Sequence, residues 1–236
     1  MNAIKIYFTA FILTFLTGCT QKTSPPPNII LFLVDDMGWQ DTSVPFYKDP
    51  TPFNRLYNTP AMERLASQGM KFTQAYASSV CSPTRISLMT GMNAARHRVT
   101  NWTLWKNKSQ DAPHPELEFP VWNMNGMSPV AGIENTIHAT PLPQLLKDAG
   151  YFTIHCGKAH LGAISTPAAD PLNIGFMINI AGHAAGGPGS YYGSKNFGNK
   201  KGEHTLPWGI PGLEKYHGQD IYLNEALTME AIQALD

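Results

Sequence analysis

The sequence predicts an α/β fold rich in loops. Three observations lead there: an apolar run at residues 28–34 that ends in two aspartates, helix-like and strand-like segments that follow one another downstream, and an abundance of Gly and Pro. With 20 Gly and 19 Pro in 236 residues, the composition suits a loop-rich enzyme better than a bundle or coiled coil. Apolar residues make up 43 % of the chain, enough to bury a core in one domain of ordinary size or two small ones. Seventeen basic side chains balance 17 acidic ones, so the sequence shows no electrostatic footprint for nucleic acid.

Residues 1–18 read as a removable export signal: a lone Lys5, an apolar run at residues 6–16, then Leu16-Thr17-Gly18-Cys19. The run is far shorter than the roughly 20 residues a membrane-spanning helix needs. The small residues before Cys19 resemble a bacterial lipobox, which implies lipid attachment at Cys19 and an exported lipoprotein of the bacterial cell envelope, in the periplasm or outer membrane. Residues 19–27 contain three consecutive prolines and read as a stiff tether, so the folded domain is expected over residues 28–236. Cys81 and Cys156 are then the remaining cysteines, too few for a disulfide framework.

The run at residues 28–34 is the pattern of a central strand buried on both faces, delivering Asp35 and Asp36 at its C-terminal end, where open α/β sheets bind ligands. Residues 59–69 carry a capping Thr59, a first-turn Pro60, Met62 and Leu65 at helical spacing, and a terminating Gly69. A short strand is expected at 70–77 and a helix at 83–89. The Trp-, Asn- and Pro-rich residues 94–141 suggest an ordered loop excursion. Its Trp102, Trp105 and Trp122 read first as packing aromatics and second as the wall of a sugar cleft. A helix at 142–149, a strand at 151–156, a glycine-rich stretch at 181–218 and a helix at 221–235 complete the series. His183 lies in the glycine-rich stretch, where a structural role is favoured over substrate recognition.

The most specific segment is Cys81-Ser82-Pro83-Thr84-Arg85, followed by Thr90-Gly91. Proline suits the first turn of a helix, and the free N–H groups of that turn suit an anion. Arg85 lies one helical turn after Cys81, so its planar guanidinium can stand beside it. Lys158 and His160 are two apart beyond a strand end and can point to one site. Asp35 and Asp36 offer hard oxygens for a divalent cation.

This segment resembles the sulfatase signature C-x-P-x-R followed by T-G. The double aspartate after the first strand, the T-P-A-M-E-R-L-A helix and the G-K-A-H-L-G block at 157–162 extend the resemblance in the right order. It implies an alkaline-phosphatase-like mixed sheet flanked by helices, with Cys81 oxidised to formylglycine by a dedicated maturation enzyme. It also implies a calcium ion held by Asp35, Asp36 and residue 81, with Arg85, Lys158 and His160 completing the catalytic group. The implied reaction is hydrolysis of a sulfate ester, on a sulfated carbohydrate or a small aryl sulfate. Members of the family are typically about twice this length. The resemblance therefore implies a chain truncated before its C-terminal half, lacking a further histidine, a lysine and the rest of the metal shell, and inactive as such. A phosphonate monoester or phosphodiester hydrolase of the same superfamily and a non-catalytic lipoprotein that binds sulfated sugars are the alternatives. A cysteine phosphatase is excluded, since its loop needs five residues between Cys and Arg and this chain has three.

Overall fold

A strand is buried only when other strands pair with its edges and other elements cover its faces. The computed structural model, which describes residues 24–120 and 122–236, shows where this chain finds such partners. The export signal, Cys19 and most of the tether lie outside the described residues.

The described residues hold two short parallel ladders. In the first, β1 (Met127–Ser128) pairs with β2 (Ile137–His138), Met127 opposite Ile137. In the second, β3 (Ile154–Cys156) pairs with β4 (Ile178–Ile180), His155 opposite Asn179. The connection from β3 to β4 contains the block at 157–162, so the second ladder delivers that block at the C-terminal end of β3.

The helices follow the sequence signals closely. Helix α1 (Pro60–Gln68) starts on its proline and stops at Gly69. Helix α2 (Cys81–Thr90) begins two residues before the expected Pro83, so Cys81 is its first residue, and it ends at Gly91. Gly91 adopts φ +69, a left-handed conformation that favours glycine, and its N–H closes on the Ser87 carbonyl. Helix α3 (Ala94–His97) is one turn capped by the Asn93 side chain. Helix α4 (Leu142–Asp148) and helix α5 (Leu223–Leu235) lie where periodicity puts them.

Two cores organise these pieces. One packs Leu223 and Ala226 of α5 against Ala181, Phe197, Leu213 and Tyr216, with Ile180 of β4 at its margin. The other joins Ile86 of α2 to Val99, Met127, Leu161, Ala168 and Ile174. Since Ile86 and Leu161 share this second core, it ties the helix bearing Cys81 to the loop bearing His160.

Two expectations are corrected. Residues 28–34 are extended but unpaired and exposed, with Ile30 at 75 % and Phe32 at 82 % of full exposure. Residues 70–77 form no strand and are exposed as well. The apolar pattern of such a run belongs to the sequence, whereas its burial belongs to neighbours, and neither ladder among the described residues reaches these segments. The strand expected at 151–156 shortens to Ile154–Cys156.

The loop bearing His160 is clamped at Gly126, whose φ is +83 and where a Cβ would overlap the Leu161 carbonyl oxygen. Next to it, the Met127 N–H donates to that same carbonyl at 3.0 Å. Gly126→Ala should therefore lose on the order of 3 kcal/mol from backbone strain and steric overlap, a fall of roughly 5–10 °C in thermal midpoint for a domain of this size. An unchanged midpoint would show that residue 126 does not clamp the loop.

Candidate active site

Helix α2 is the frame of the site. Its first turn presents N–H groups that no earlier residue of the helix can accept, which favours negative charge there. Cys81 is a free thiol, partly exposed. Ser82, the next residue, is fully buried, and its Oγ accepts the Thr103 N–H at 3.2 Å. Arg85, one turn along, is 8 % exposed.

Arg85 reaches two distant segments. Its Nη1 donates to the Lys158 carbonyl at 2.6 Å and its Nη2 to Asp35 Oδ1 at 3.1 Å. Lys158 closes the triangle, its Nζ 2.5 Å from Asp35 Oδ2. One carboxylate is thus held by two cations that arrive from separate parts of the chain. Partial burial raises the Asp35 pKa, but the hydrogen bonds and charges of Lys158 and Arg85 outweigh it and hold the carboxyl below its ordinary value. Arg85 Nε is buried with no hydrogen-bond partner among the described residues.

His160 sits behind this clasp. It is 1 % exposed, adopts φ +55, and donates its backbone N–H to the His183 carbonyl at 3.1 Å. Burial pushes its pKa down to about 4, against the Thr103 carbonyl that hydrogen-bonds it and with the charges of Lys158 and Arg85. Asp36 has φ +55 and is exposed, outside the clasp.

The structure therefore brings Asp35, Arg85 and Lys158 into contact, places Cys81 one turn from Arg85, and buries His160 two residues beyond Lys158. It does not gather Asp35, Asp36 and Cys81 into a metal site: no group of three or more His, Cys, Asp or Glu among the described residues could hold a metal ion. A calcium ion takes about 6–8 oxygens, and both oxygens of Asp35 already face cations, which oppose a further positive charge. The described residues alone do not fit calcium.

Sequence reasoning missed several residues of this region. Ser82 had a signal in standing next to Cys81, but Thr103 had none, being 21 residues away in an irregular loop. His155 is half-buried on β3 near Asn179, with its pKa pushed down to about 4 mainly by desolvation. His97 is fully buried and bonds Ser87 Oγ at 3.0 Å, fastening α3 to α2. His183, read from sequence as a loop residue with a structural role, is 8 % exposed with Nε2 on the Pro207 carbonyl at 3.1 Å, a buried packing residue. Trp102 lies 6.4 Å from the His160 ring, while Trp105 and Trp122 are exposed at 42 % and 39 %.

A family model described as Sulfatase matches residues 27–235. The chain belongs to the sulfatase family. Its sequence is 37 % identical over 162 residues to the N-acetylgalactosamine-6-sulfatase of Sus scrofa, covering 68 % of this chain and 26 % of that protein. It is 32 % identical over 143 residues to arylsulfatase G of Rattus norvegicus, covering 60 % of this chain and 21 % of the other. In structure it is similar to Ps i-CgsB, with a TM-score of 0.57 and 25 % identity over 89 % of this chain and 41 % of that one. The sulfatase chain spans about a quarter of the length of the curated relatives it matches. Its mixed helix-and-sheet fold is of the sulfatase kind.

Two histidines in this region fix the sign of a pH effect. For His155 and His160 the folded pKa, about 4, lies below the ordinary 6.5, so the unfolded chain takes up protons first as pH falls. Stability should be full above about pH 6.5 and drop through the window down to about pH 4, by roughly 3 kcal/mol per histidine. The Asp35 pair is lost at still lower pH, below the ordinary carboxylate range near 3.8. Urea unfolding across this window checks it, and a flat profile would mean that the imidazoles are solvated.

Proposed function

We propose that this chain carries the nucleophile and the anion-binding groups for hydrolysis of a sulfate ester, on a sulfated glycan or an aryl sulfate. The observation that carries the reading is the convergence of Arg85 and Lys158, from 73 residues apart, beside a helix whose first residue is Cys81. The family match favours sulfate esters over phosphonate monoesters and phosphodiesters, and over a binding-only lipoprotein.

Cys81 is a free, partly exposed thiol, which fits oxidation to formylglycine by a maturation enzyme. Hydrated formylglycine supplies two hydroxyls, one for attack on sulfur and one whose proton is lost when sulfate departs. Arg85 and Lys158 offset the charge of the sulfuryl oxygens, and the guanidinium plane orients them through paired donors. Burial at His160 excludes water from the inner wall of the site. With both Asp35 oxygens facing Arg85 and Lys158 and Asp36 outside the clasp, no step is routed through a divalent cation. Export, lipidation at Cys19 and an envelope location belong to the same proposal.

Protein made together with a formylglycine-generating enzyme should show a loss of about 18 Da on the peptide containing residue 81, and Arg85→Lys should lower any sulfate release from an aryl sulfate by roughly 10². An unchanged thiol under those conditions would overturn the reading.

A further inference from the structure

His160 has two ring nitrogens in different settings. Nε2 lies 2.7 Å from the Thr103 carbonyl oxygen. A carbonyl only accepts, so Nε2 carries the proton. The neutral ring has one proton, which leaves Nδ1 a bare acceptor, and Nδ1 is buried with no hydrogen-bond partner among the described residues. Its edge of the ring faces Gly186, where a Cβ would stand 2.8 Å from Nδ1 and 2.6 Å from Cε1, so glycine is what lets that loop lie against the imidazole. The low pKa of His160 agrees with a ring held neutral.

The Thr103 carbonyl that selects this arrangement is itself held. On one side the Thr103 N–H donates to Ser82 Oγ, in the first turn of α2 and next to Cys81. On the other, the Leu104 carbonyl accepts the Ile164 N–H at 2.8 Å. The Thr103 hydroxyl is buried without a hydrogen-bond partner among the described residues, so the connection runs through its peptide groups and not its side chain. A continuous path therefore links the residue beside Cys81 to the proton of His160: Ser82 Oγ, the Thr103 N–H, the Thr103 carbonyl, Nε2.

We propose that Ser82 and the Thr103 peptide are positioning residues that fix His160 as its Nε2–H tautomer, a neutral ring whose bare Nδ1 is walled off by Gly186. This deepens the sulfatase reading and rests on it for its chemical use. Held in this way, the ring adds no charge to the site and cannot turn without breaking its Thr103 contact, so it cannot donate to a sulfate oxygen. Sulfate recognition then falls to Arg85 and Lys158 alone among the residues assigned here.

Long-range proton–nitrogen NMR correlation spectra of the full chain, with isotope-labelled histidine, read the tautomer without any need for turnover. The wild type should show His160 with Nε2 protonated and Nδ1 bare, and the Thr103 amide should be protected from hydrogen exchange. Ser82→Ala should raise the share of the Nδ1–H form or of the imidazolium roughly fivefold, as expected for loss of one ordinary hydrogen bond. Thr103→Val, which keeps the peptide and removes only an unpaired hydroxyl, should leave the tautomer unchanged and the stability equal or higher. A protonated Nδ1 in the wild type, a rapidly exchanging Thr103 amide, or a folded Ser82→Ala with wild-type tautomer would each overturn the inference. If Ser82→Ala does not fold, the two wild-type measurements decide. Because none of these readouts involves formylglycine or sulfate, failure of the tautomer lock and failure of the sulfatase reading are separable.

Discussion

One carboxylate, that of Asp35, stands between the guanidinium of Arg85 and the ammonium of Lys158. The rest of the site depends on this contact because its three members come from an exposed extended run, from helix α2 and from the turn after β3. Buried cations need a counter-charge or an anion. Arg85 is 8 % exposed and meets this need with Asp35 and the Lys158 carbonyl. Without Asp35, two positive groups would face each other beside Cys81. The clasp thereby sets both the sign of the site, which is positive overall, and the position of its parts.

The second constraint is the buried wall behind the clasp. Ile86 and Leu161 share one core, so packing as well as charge holds α2 against the 157–162 loop and supports the Arg85–Lys158 geometry. His160 is carried on that loop and kept uncharged, which leaves the cationic character of the site to Arg85 and Lys158. A charged imidazole so close to two cations would be opposed by both, as the direction of their effect on His160 shows.

Much of the site was legible in the sequence, and less of the fold. The helices at 60–68, 81–90, 142–148 and 223–235 announce themselves through local signals: a proline in the first turn of the first three, terminal Gly69, Gly91 and Gly150, and apolar periodicity in the last. Cys81, Arg85, Lys158 and Asp35 could be named because helix spacing and strand ends are local properties too. Residues 28–34 and 70–77 form no strands, since pairing is non-local and neither segment finds a partner strand among the described residues. Thr103 was invisible for the same reason, because its role depends on a peptide group in an irregular loop and no side-chain type marks it. Asp36 shows the limit of adjacency: it adopts a left-handed backbone and stays exposed, with no part in the contacts its neighbour makes.

The central claim is that the Asp35–Arg85 contact couples the extended run to helix α2. A double-mutant cycle on the unfolding free energy, with Asp35→Asn, Arg85→Gln and the pair, tests it most directly. The account predicts a coupling of about 1 kcal/mol or more, as found for residues sharing one hydrogen-bonded network. Effects that add to within about 0.5 kcal/mol, the behaviour of independent sites, would contradict it and leave the site without its organising contact.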